Sequence, residues 1–546
     1  MLRRISPDTG ACFVLLMVAL GWAAPIAQRH GTHLPGTPAD LDVASMVWNV
    51  AWVQRAIETR LTLLRSDAIL VPFGADLTAH TYGLFPAALV WPVAHGFGAL
   101  TAFNVMLLGT LALNGWVGYA LFLELGVCRA AAMGAATALM LSGPALEQFR
   151  VGRPIFAAIW VTCAALVATR RLLARPTVGW TIALGGALAA ALFTDLQILL
   201  FTAIWIGWIV VWHVASERGI DGRRAVALAA AIAMIAPPFL LIVYPAFSGN
   251  ALPVPDRDEA VRYSFRWWDY FTLSIVPRAV GGYELAIAAI AGMLVLRRDP
   301  RLRVWWFGAL LLFVLALGPT LKFTGLPMPF ALLSWWQPLA QFRVPSRLTI
   351  PAVIGLAAVL ALLLDHVFTR MRVRHALVFT GALIALRLTL AVAQHPFATQ
   401  HYAPSIVYDY LARGRDAGAV IEVPVAARSG LDRIGHGEEF LQYYQLAHGR
   451  PIINAMIARL PAGVFAFYRG HPSLMLLAGE AVTATDRELA TDLTAVLDAL
   501  DAGHVVMHRD LMTPGQVARA ARLLDTHPRL RPWISEGPIA AYRVQK

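Results

Sequence analysis

Charged side chains are what this chain has least of. Asp, Glu, Lys and Arg make up 14% of its 546 residues, against 58% hydrophobic residues and a mean hydropathy of +0.61. So few charges cannot cover the apolar surface of an aqueous globule, which excludes an ordinary soluble protein and makes lipid the solvent. Cysteine is scarcer still. Cys12, Cys128 and Cys163 lie in or beside apolar runs without metal-ligand spacing, so neither a disulfide framework nor a zinc site is supported. The sequence also lacks a phosphate-cradling Gly-rich motif, a nucleophile elbow and a Cys/His signature, which counts against soluble nucleotide-dependent chemistry.

What the chain does have is long apolar runs. Runs at 225–247, 304–321 and 348–364 suit a bilayer core of about 30 Å, and the same logic selects 11–27, 101–123, 130–146, 154–169, 178–193, 196–215, 279–296 and 376–393. Beyond Gln394 the pattern stops. Residues 1–395 are therefore read as a transmembrane domain and residues 396–546 as a globular α/β domain. The run at 11–27 follows Arg3 and Arg4, but Ala23, Ala24 and Pro25 make a weak cleavage site, so it is read as a retained first helix.

The net charge of +12 does not point to nucleic acid, because Lys and Arg gather at span ends. Clusters at Arg170, Arg171 and Arg175, at Arg218, Arg223 and Arg224, at Arg297, Arg298, Arg301 and Arg303, and at Arg370, Arg372 and Arg374 mark cytoplasmic turns. Counting outward puts 29–83, 248–278 and 322–346 in outer loops and makes the C-terminal domain extracytoplasmic. The run 84–97, broken by Pro86 and Pro92, must then be re-entrant or interfacial, leaving about eleven of some twelve candidate spans to cross.

In the first outer loop, Met46, Val50, Val53, Ile57, Leu61 and Leu64 follow helical spacing, with Gln54, Arg55, Glu58 and Thr62 on other faces. This predicts an amphipathic helix lying in the membrane interface, with Trp48 and Trp52 stacked four residues apart. Asp42 sits at its N-terminal end. There it suits a helix N-cap, and it equally suits a general base, a role for which nearby Asp40 is the fallback.

Positive residues are disfavoured on outer loops, so Arg343, Arg347 and Lys322 want a reason. They fit either a phosphate leaving group, for which Arg offers a bidentate fork, or headgroup contact and snorkelling at a helix end. Asp195 falls at a tight outer turn on the side of Asp42, as a turn former or a ligand contact. His80 is taken with Arg343, Arg347, Lys322 and Asp195 as a substrate-binding residue; it and His33 near Asp40 are also candidates for a divalent cation, although their spacing follows no known ligand pattern and no metal site is assigned. The loop 248–278, with Asp256, Asp258, Glu259, Arg262, Arg266, Trp267, Trp268 and Asp269, reads as an interfacial belt or as a cover over a lipid-linked ligand. Arg387, inside the last span, suits either a structural ion pair or interfacial snorkelling rather than a role in catalysis.

The run from Asp42 to Trp52, DVASMVWNVAW, resembles the first-loop motif of bacterial multispanning glycosyltransferases of the GT-C superfamily, in which an Asp stands six residues before a Trp-x-x-x-Trp pair. The resemblance extends to Asn104 in TAFN, Gly115 in LNGWVGYAL, the FRVPSR of 342–347, VIEVPV from Val420 and HGRPIIN from His448. It implies a GT-C-like helical membrane fold in a bacterial inner membrane. The implied activity is transfer of a sugar from a polyprenyl-phosphate donor to a glycan, lipid or protein acceptor on the outer face, with Asp42 at the reacting centre.

The C-terminal domain alternates strand-like runs (419–425, 504–507, 539–544) with helical ones (486–500, 514–524). Its most polar and aromatic part carries His436, Glu438, Glu439, Tyr443, Tyr444, His448, Arg450 and Asn454, which suits either glycan recognition or ordinary surface. Two functional classes follow: a membrane glycosyltransferase, or a non-catalytic relative that binds a lipid carrier or assists envelope assembly. A transporter would want polar residues strung through the bilayer midplane or an internal repeat, whereas the spans are almost purely apolar and show no repeat.

Overall fold

The computed structural model describes residues 7–545 apart from 41, 218, 249–251, 402 and 415–417. Arg3, Arg4 and Arg218 lie outside the described residues, as do the side chains of Glu438 and Glu439. A helix stands at each of the eleven apolar runs expected to cross. Among the described residues six are long and apolar enough to span a bilayer: Ala99–Leu123, Pro154–Ala174, Leu196–Glu217, Gly222–Phe247, Pro345–Phe368 and Val373–Gln394. Asp8–Trp22, Val178–Thr194 and Tyr283–Val295 are shorter apolar helices. The run 84–97 folds as two pieces, Leu84–Leu89 and Trp91–Phe97, each about 10 Å long and too short to cross.

Pro345–Phe368 is the mast of the helical body. Between its polar ends it is apolar on every face, as a helix surrounded by others must be, and it is almost wholly buried. Trp205 clamps it by donating its indole N–H to the Pro351 carbonyl at 2.9 Å. Gly355 allows the close approach, since a Cβ there would stand 2.5 Å from the Trp305 carbonyl oxygen. Gly222–Phe247 is peripheral by contrast and little buried. Pro237 and Pro238 remove two backbone donors from it, and the helix widens to π-type turns at Phe239–Val243. Arg387 is buried in Val373–Gln394, where it pairs with Glu284 and donates to the carbonyls of Leu141 and Gly281.

The helix expected in the first loop forms as Asp42–Thr59, and Trp48 and Trp52 stack at 5.8 Å with their planes 6° apart. Its environment differs from the expected interfacial one. Its apolar residues run round several faces, and the C-terminal helix Glu438–His448 covers it, leaving Trp48 1% exposed with its indole N–H on Gln445. The predicted stripe overshoots at the other end, because Arg60 turns left-handed (φ 58°) and puts Leu61 and Leu64 beyond the helix.

The C-terminal part is built on a four-stranded sheet ordered Leu530–Glu536, Ile539–Val544, Ala502–His508, Ala419–Val423, antiparallel except for the last pair. Its helices Asp486–Ala499 and Pro514–Thr526 start at capping boxes, Thr485 with Glu488 and Thr513 with Gln516, which satisfy the free amides of their first turns. A smaller three-stranded sheet orders Arg433–Ile434, Ala427–Arg428, Ala455–Met456. Among the contacts that tie this part to the first loop are the antiparallel ribbon of His33–Pro35 with Thr399–His401 and the packing of the Asp42–Thr59 helix itself.

Candidate active site

Where the first-loop helix, the helix turn at Asp195, the segment 341–347 and the small C-terminal sheet meet, they enclose a cavity of about 770 Å³. Its two ends differ in chemistry. One end carries Asp42, Asp195, Gln197, Arg343, Arg347 and Arg459. The other is an apolar groove between Val178–Thr194, Leu196–Glu217 and Gly222–Pro238, lined by residues such as Leu188, Leu199, Ile206, Val210, Ile232 and Phe239. Val211 and Ile232 on its rim are 61% and 56% exposed, so the groove opens sideways where the helix faces would meet lipid. Gly207 lies on its floor, and a Cβ there would meet nothing within 4 Å.

Asp42 does not cap its helix through its carboxylate. Arg153 approaches one carboxylate oxygen at 2.6 Å and Arg428 the other at 2.6 Å. Two local features bring these arginines in. Gly152 lets the chain pass against Val43, where a Cβ would come within 2.4 Å of a Val43 methyl, and Arg428 follows buried Ala427 on a strand, so its side chain points away from the core. Burial pushes the Asp42 carboxyl toward the neutral form, but Arg153 and Arg428 outweigh it and hold the group below the usual carboxylate range. It is ionised at neutral pH.

Asp195 behaves oppositely. Its carboxylate accepts the Gln197 N–H at 2.8 Å, the turn-forming use expected of it, and it is 8% exposed at the cavity wall. Burial pushes its carboxyl up to about 6 against the pull of the Gln197 amide and of Arg347.

Three guanidiniums complete the polar end. Arg347 gives one N–H to Gln197 at 2.9 Å and lies 4.0 Å over the Phe156 ring. Arg343 pairs with Glu259, donates to the Gly430 carbonyl and covers the Tyr263 ring. Arg459 holds the side chain and carbonyl of Gln341 at 2.7 and 2.9 Å, and burial lowers its pKa to about 10, still cationic at neutral pH. With Arg153 and Arg428 behind Asp42, five guanidiniums face the carboxylates of Asp42, Asp195 and Glu259, an excess of two positive charges. A site with that excess beside an apolar groove suits an anion of one to two charges carried on an apolar tail.

Other expected residues fall elsewhere. Asp40 does not line the cavity; its carboxylate closes a local turn on the N–H and hydroxyl of Thr37, both at 2.8 Å. Lys322 lies in a neighbouring cleft, its ammonium held by the carbonyls of Arg262 and Ser264 at 3.0 and 2.6 Å. His80 does line the cavity but has no free nitrogen: one accepts the Ala458 N–H at 3.0 Å and the other donates to Asn49 at 3.2 Å. Burial lowers its pKa to about 4, so it is neutral and structural.

A divalent cation does not fit these residues. His80 cannot ligate, Asp42 is taken by arginines, His33 meets Thr32 and the His401 ring, and no group of three ligating side chains forms among the described residues. In the polar C-terminal region, Tyr444 and His448 stack in a buried group with Tyr408, His508 and Glu422 rather than facing a ligand. Asn454 there is wholly buried and donates to the Pro424 carbonyl.

Arg153, Arg428, Arg459, Gln197 and Gln341 are the site residues that the sequence reading missed. Arg153 carried a signal, since it lies one span away from the cytoplasmic cluster at Arg170, hence on the outer side by the same count, where a positive charge is an exception like that at Arg343. Arg428 and Arg459 carried none, because arginine is ordinary in a soluble domain.

No protein-family model matches the chain, and no curated protein resembles it in sequence at a significant level. Solved structures do resemble it. The arabinofuranosyltransferase AftD from Mycobacteria superposes over 99% of this chain and 40% of its own, with a TM-score of 0.60 and 16% identity. The oligosaccharyltransferase of Archaeoglobus fulgidus in its apo form superposes over 100% of this chain and 75% of its own, with a TM-score of 0.51 and 14% identity. The Archaeoglobus fulgidus oligosaccharyltransferase AglB in complex with an inhibitory peptide and a dolichol-phosphate covers 99% of this chain and 74% of its own, with a TM-score of 0.51 and 13% identity. The chain thus spans about two fifths of the length of the mycobacterial protein. At these identities the likeness is one of fold alone, and it agrees with the GT-C-like helical membrane fold expected from the sequence.

Proposed function

We propose that this GT-C-fold membrane protein transfers a sugar from a polyprenyl-phosphate carrier to an acceptor on the outer face of a bacterial inner membrane, where its C-terminal domain also lies. The observation that carries this reading is the joining, in one cavity, of a cationic end to an apolar groove that opens sideways. A lipid phosphate has both halves. Groove residues Leu199 to Val210 cover about 16 Å of helix at 1.5 Å per residue, roughly half a bilayer core, which suits the first part of a long isoprenoid chain. The structural neighbour in complex with a dolichol-phosphate has a ligand of this class.

In the reaction the acceptor hydroxyl attacks the anomeric carbon, a new C–O bond forms, and the bond from that carbon to the phosphate oxygen breaks with its electron pair going to the phosphate. The hydroxyl proton passes to Asp42, which is ionised and waiting. The arginines on Asp42 lower its proton affinity, so transfer occurs late, as the attacking oxygen becomes acidic. The carrier goes from a phosphodiester with one charge to a phosphomonoester approaching two. Arg343, Arg347 and Arg459 are preorganised where that charge develops. Asp195, when ionised, favours the cationic form of Arg347 through space.

A second reading, a carrier-binding protein without transferase activity, draws on the same ion pairs, since a carboxylate gripped by two arginines is a poor base. One assay separates the two. Purified protein in nanodiscs is given undecaprenyl-phosphate-linked sugars and membrane-extracted acceptors, and transfer is compared between wild type and Asp42→Asn. Transfer by wild type and its loss in Asp42→Asn supports the enzyme; carrier binding with no transfer by either leaves the binding protein.

A further inference from the structure

Arg347 also lines a second cavity. This cleft, of about 950 Å³, lies between the segment 258–278, Lys322, Phe323 and the helix end at Glu147 and Gln148. Its charges are differently disposed from those around Asp42. Arg262 and Arg278 are exposed, and their guanidiniums have no hydrogen-bond or ion-pair partner among the described residues. Lys322 is fixed by two carbonyls, neutral acceptors that orient its ammonium without cancelling its charge. Of the carboxylates present, Glu147 is taken by Arg150 at 2.7 and 2.9 Å and Asp269 by Arg266 at 2.9 Å, which leaves Asp258. Uncommitted cations therefore outnumber uncommitted anions. The wall is also aromatic: Phe323 is 81% exposed and stacks on Trp268 at 5.5 Å, and Tyr263, whose ring Arg343 covers on one side, lines the same cleft. Rings of that kind pack sugar faces, and free guanidiniums bind phosphate or carboxylate.

We propose that this cleft, bounded by Arg262, Arg278 and Lys322, seats an anionic group on the acceptor, so that the acceptor is a phosphorylated or carboxylated glycan. The proposal deepens the transferase reading and rests on it for the word acceptor. Arg347, in the wall common to both cavities, then brings the acceptor beside the carrier phosphate, and the cations of the second cleft keep the two anions from repelling one another.

The test uses the full chain in phosphatidylcholine nanodiscs and measures binding of maltotriose bearing one terminal phosphate, of plain maltotriose and of undecaprenyl phosphate. The phosphorylated probe is expected to bind at least tenfold more tightly than plain maltotriose. Arg262→Gln with Arg278→Gln is expected to erase that tenfold while leaving undecaprenyl phosphate binding unchanged, and Arg459→Gln to do the reverse. Equal binding of the two sugars, an unaffected double variant, or displacement of the probe by undecaprenyl phosphate overturns the proposal. Displacement of the probe on replacing a third of the lipid with phosphatidylglycerol overturns it too, by making the cleft a seat for lipid headgroups. If undecaprenyl phosphate binds nowhere while the probe binds and the double variant loses it, the carrier reading fails alone and the anion site stands.

Discussion

The two cavities that share Arg347 treat charge in opposite ways. Around Asp42 every ion is held by a protein group, and the positive excess is spread over five guanidiniums locked to protein acceptors. In the cleft at Arg262 and Arg278 the cations stand in the open with few partners. The difference teaches how a site can be strong or receptive. Locked, half-buried ions cost no reorganisation when charge develops on a ligand, which favours chemistry, whereas exposed unpaired ions favour capture.

Asp42→Asn is expected to break this contrast most severely. Sugar transfer should fall by about 100-fold or more, the scale of a lost general base, with undecaprenyl phosphate binding changed less than about threefold. A parallel fall in carrier binding would instead make Asp42 part of the phosphate seat. Arg347→Gln comes next, because it touches both cavities. Loss of a charged hydrogen bond is worth about 1.5–3 kcal/mol, so titrations of the carrier phosphate and of a phosphorylated sugar should each weaken about tenfold or more. An effect on one ligand alone would separate the cavities.

Gly207→Leu sharpens the comparison at the apolar end. Filling the groove floor should weaken undecaprenyl phosphate about tenfold, an overpacking cost of about 1–3 kcal/mol, yet leave a two-isoprene phosphate unaffected. Equal weakening of both chain lengths would show that the long chain does not use the groove. The smallest effect is on stability. The Asp195 carboxyl is raised from 3.8 to about 6 in the fold, so its favourable contribution is complete below about pH 4 and is lost as pH rises through 6. Wild type should therefore lose melting temperature relative to Asp195→Asn between pH 5 and 7.5, by a few degrees, in thermal scans. A gap that does not widen with pH would mean that Asp195 is not buried as a strained carboxylate.

The helical body was largely legible, because a bilayer imposes a length and an apolarity that appear in the chain as runs. Pro345–Phe368 and Leu196–Glu217 stand close to where hydropathy put them. Of the site, Asp42, Arg343, Arg347 and Asp195 were legible as polar residues out of place in apolar surroundings, and the structure gathers them round one cavity. Lys322 looked equivalent to the arginines by the same rule, yet it faces the second cleft, since charge placement reports a side of the membrane and not a pocket. The interfacial setting expected for Trp48 failed for a related reason. A one-sided stripe reads the same whether lipid or a protein helix covers it, and here Glu438–His448 does. Arg428 was invisible because its role is set by a contact across 386 residues.

That separation has a consequence for biogenesis. A ribosome adding about 5–20 residues per second takes about 20–80 s to travel from Asp42 to Arg428. For that interval the first loop waits without the strand partner of His33–Pro35, without the cover on Trp48 and without one of the two arginines on Asp42. A prematurely released chain that keeps its apolar helices would enter the bilayer yet leave an anionic, Trp-bearing loop uncovered, a flag by which membrane proteases can tell unfinished copies from finished ones.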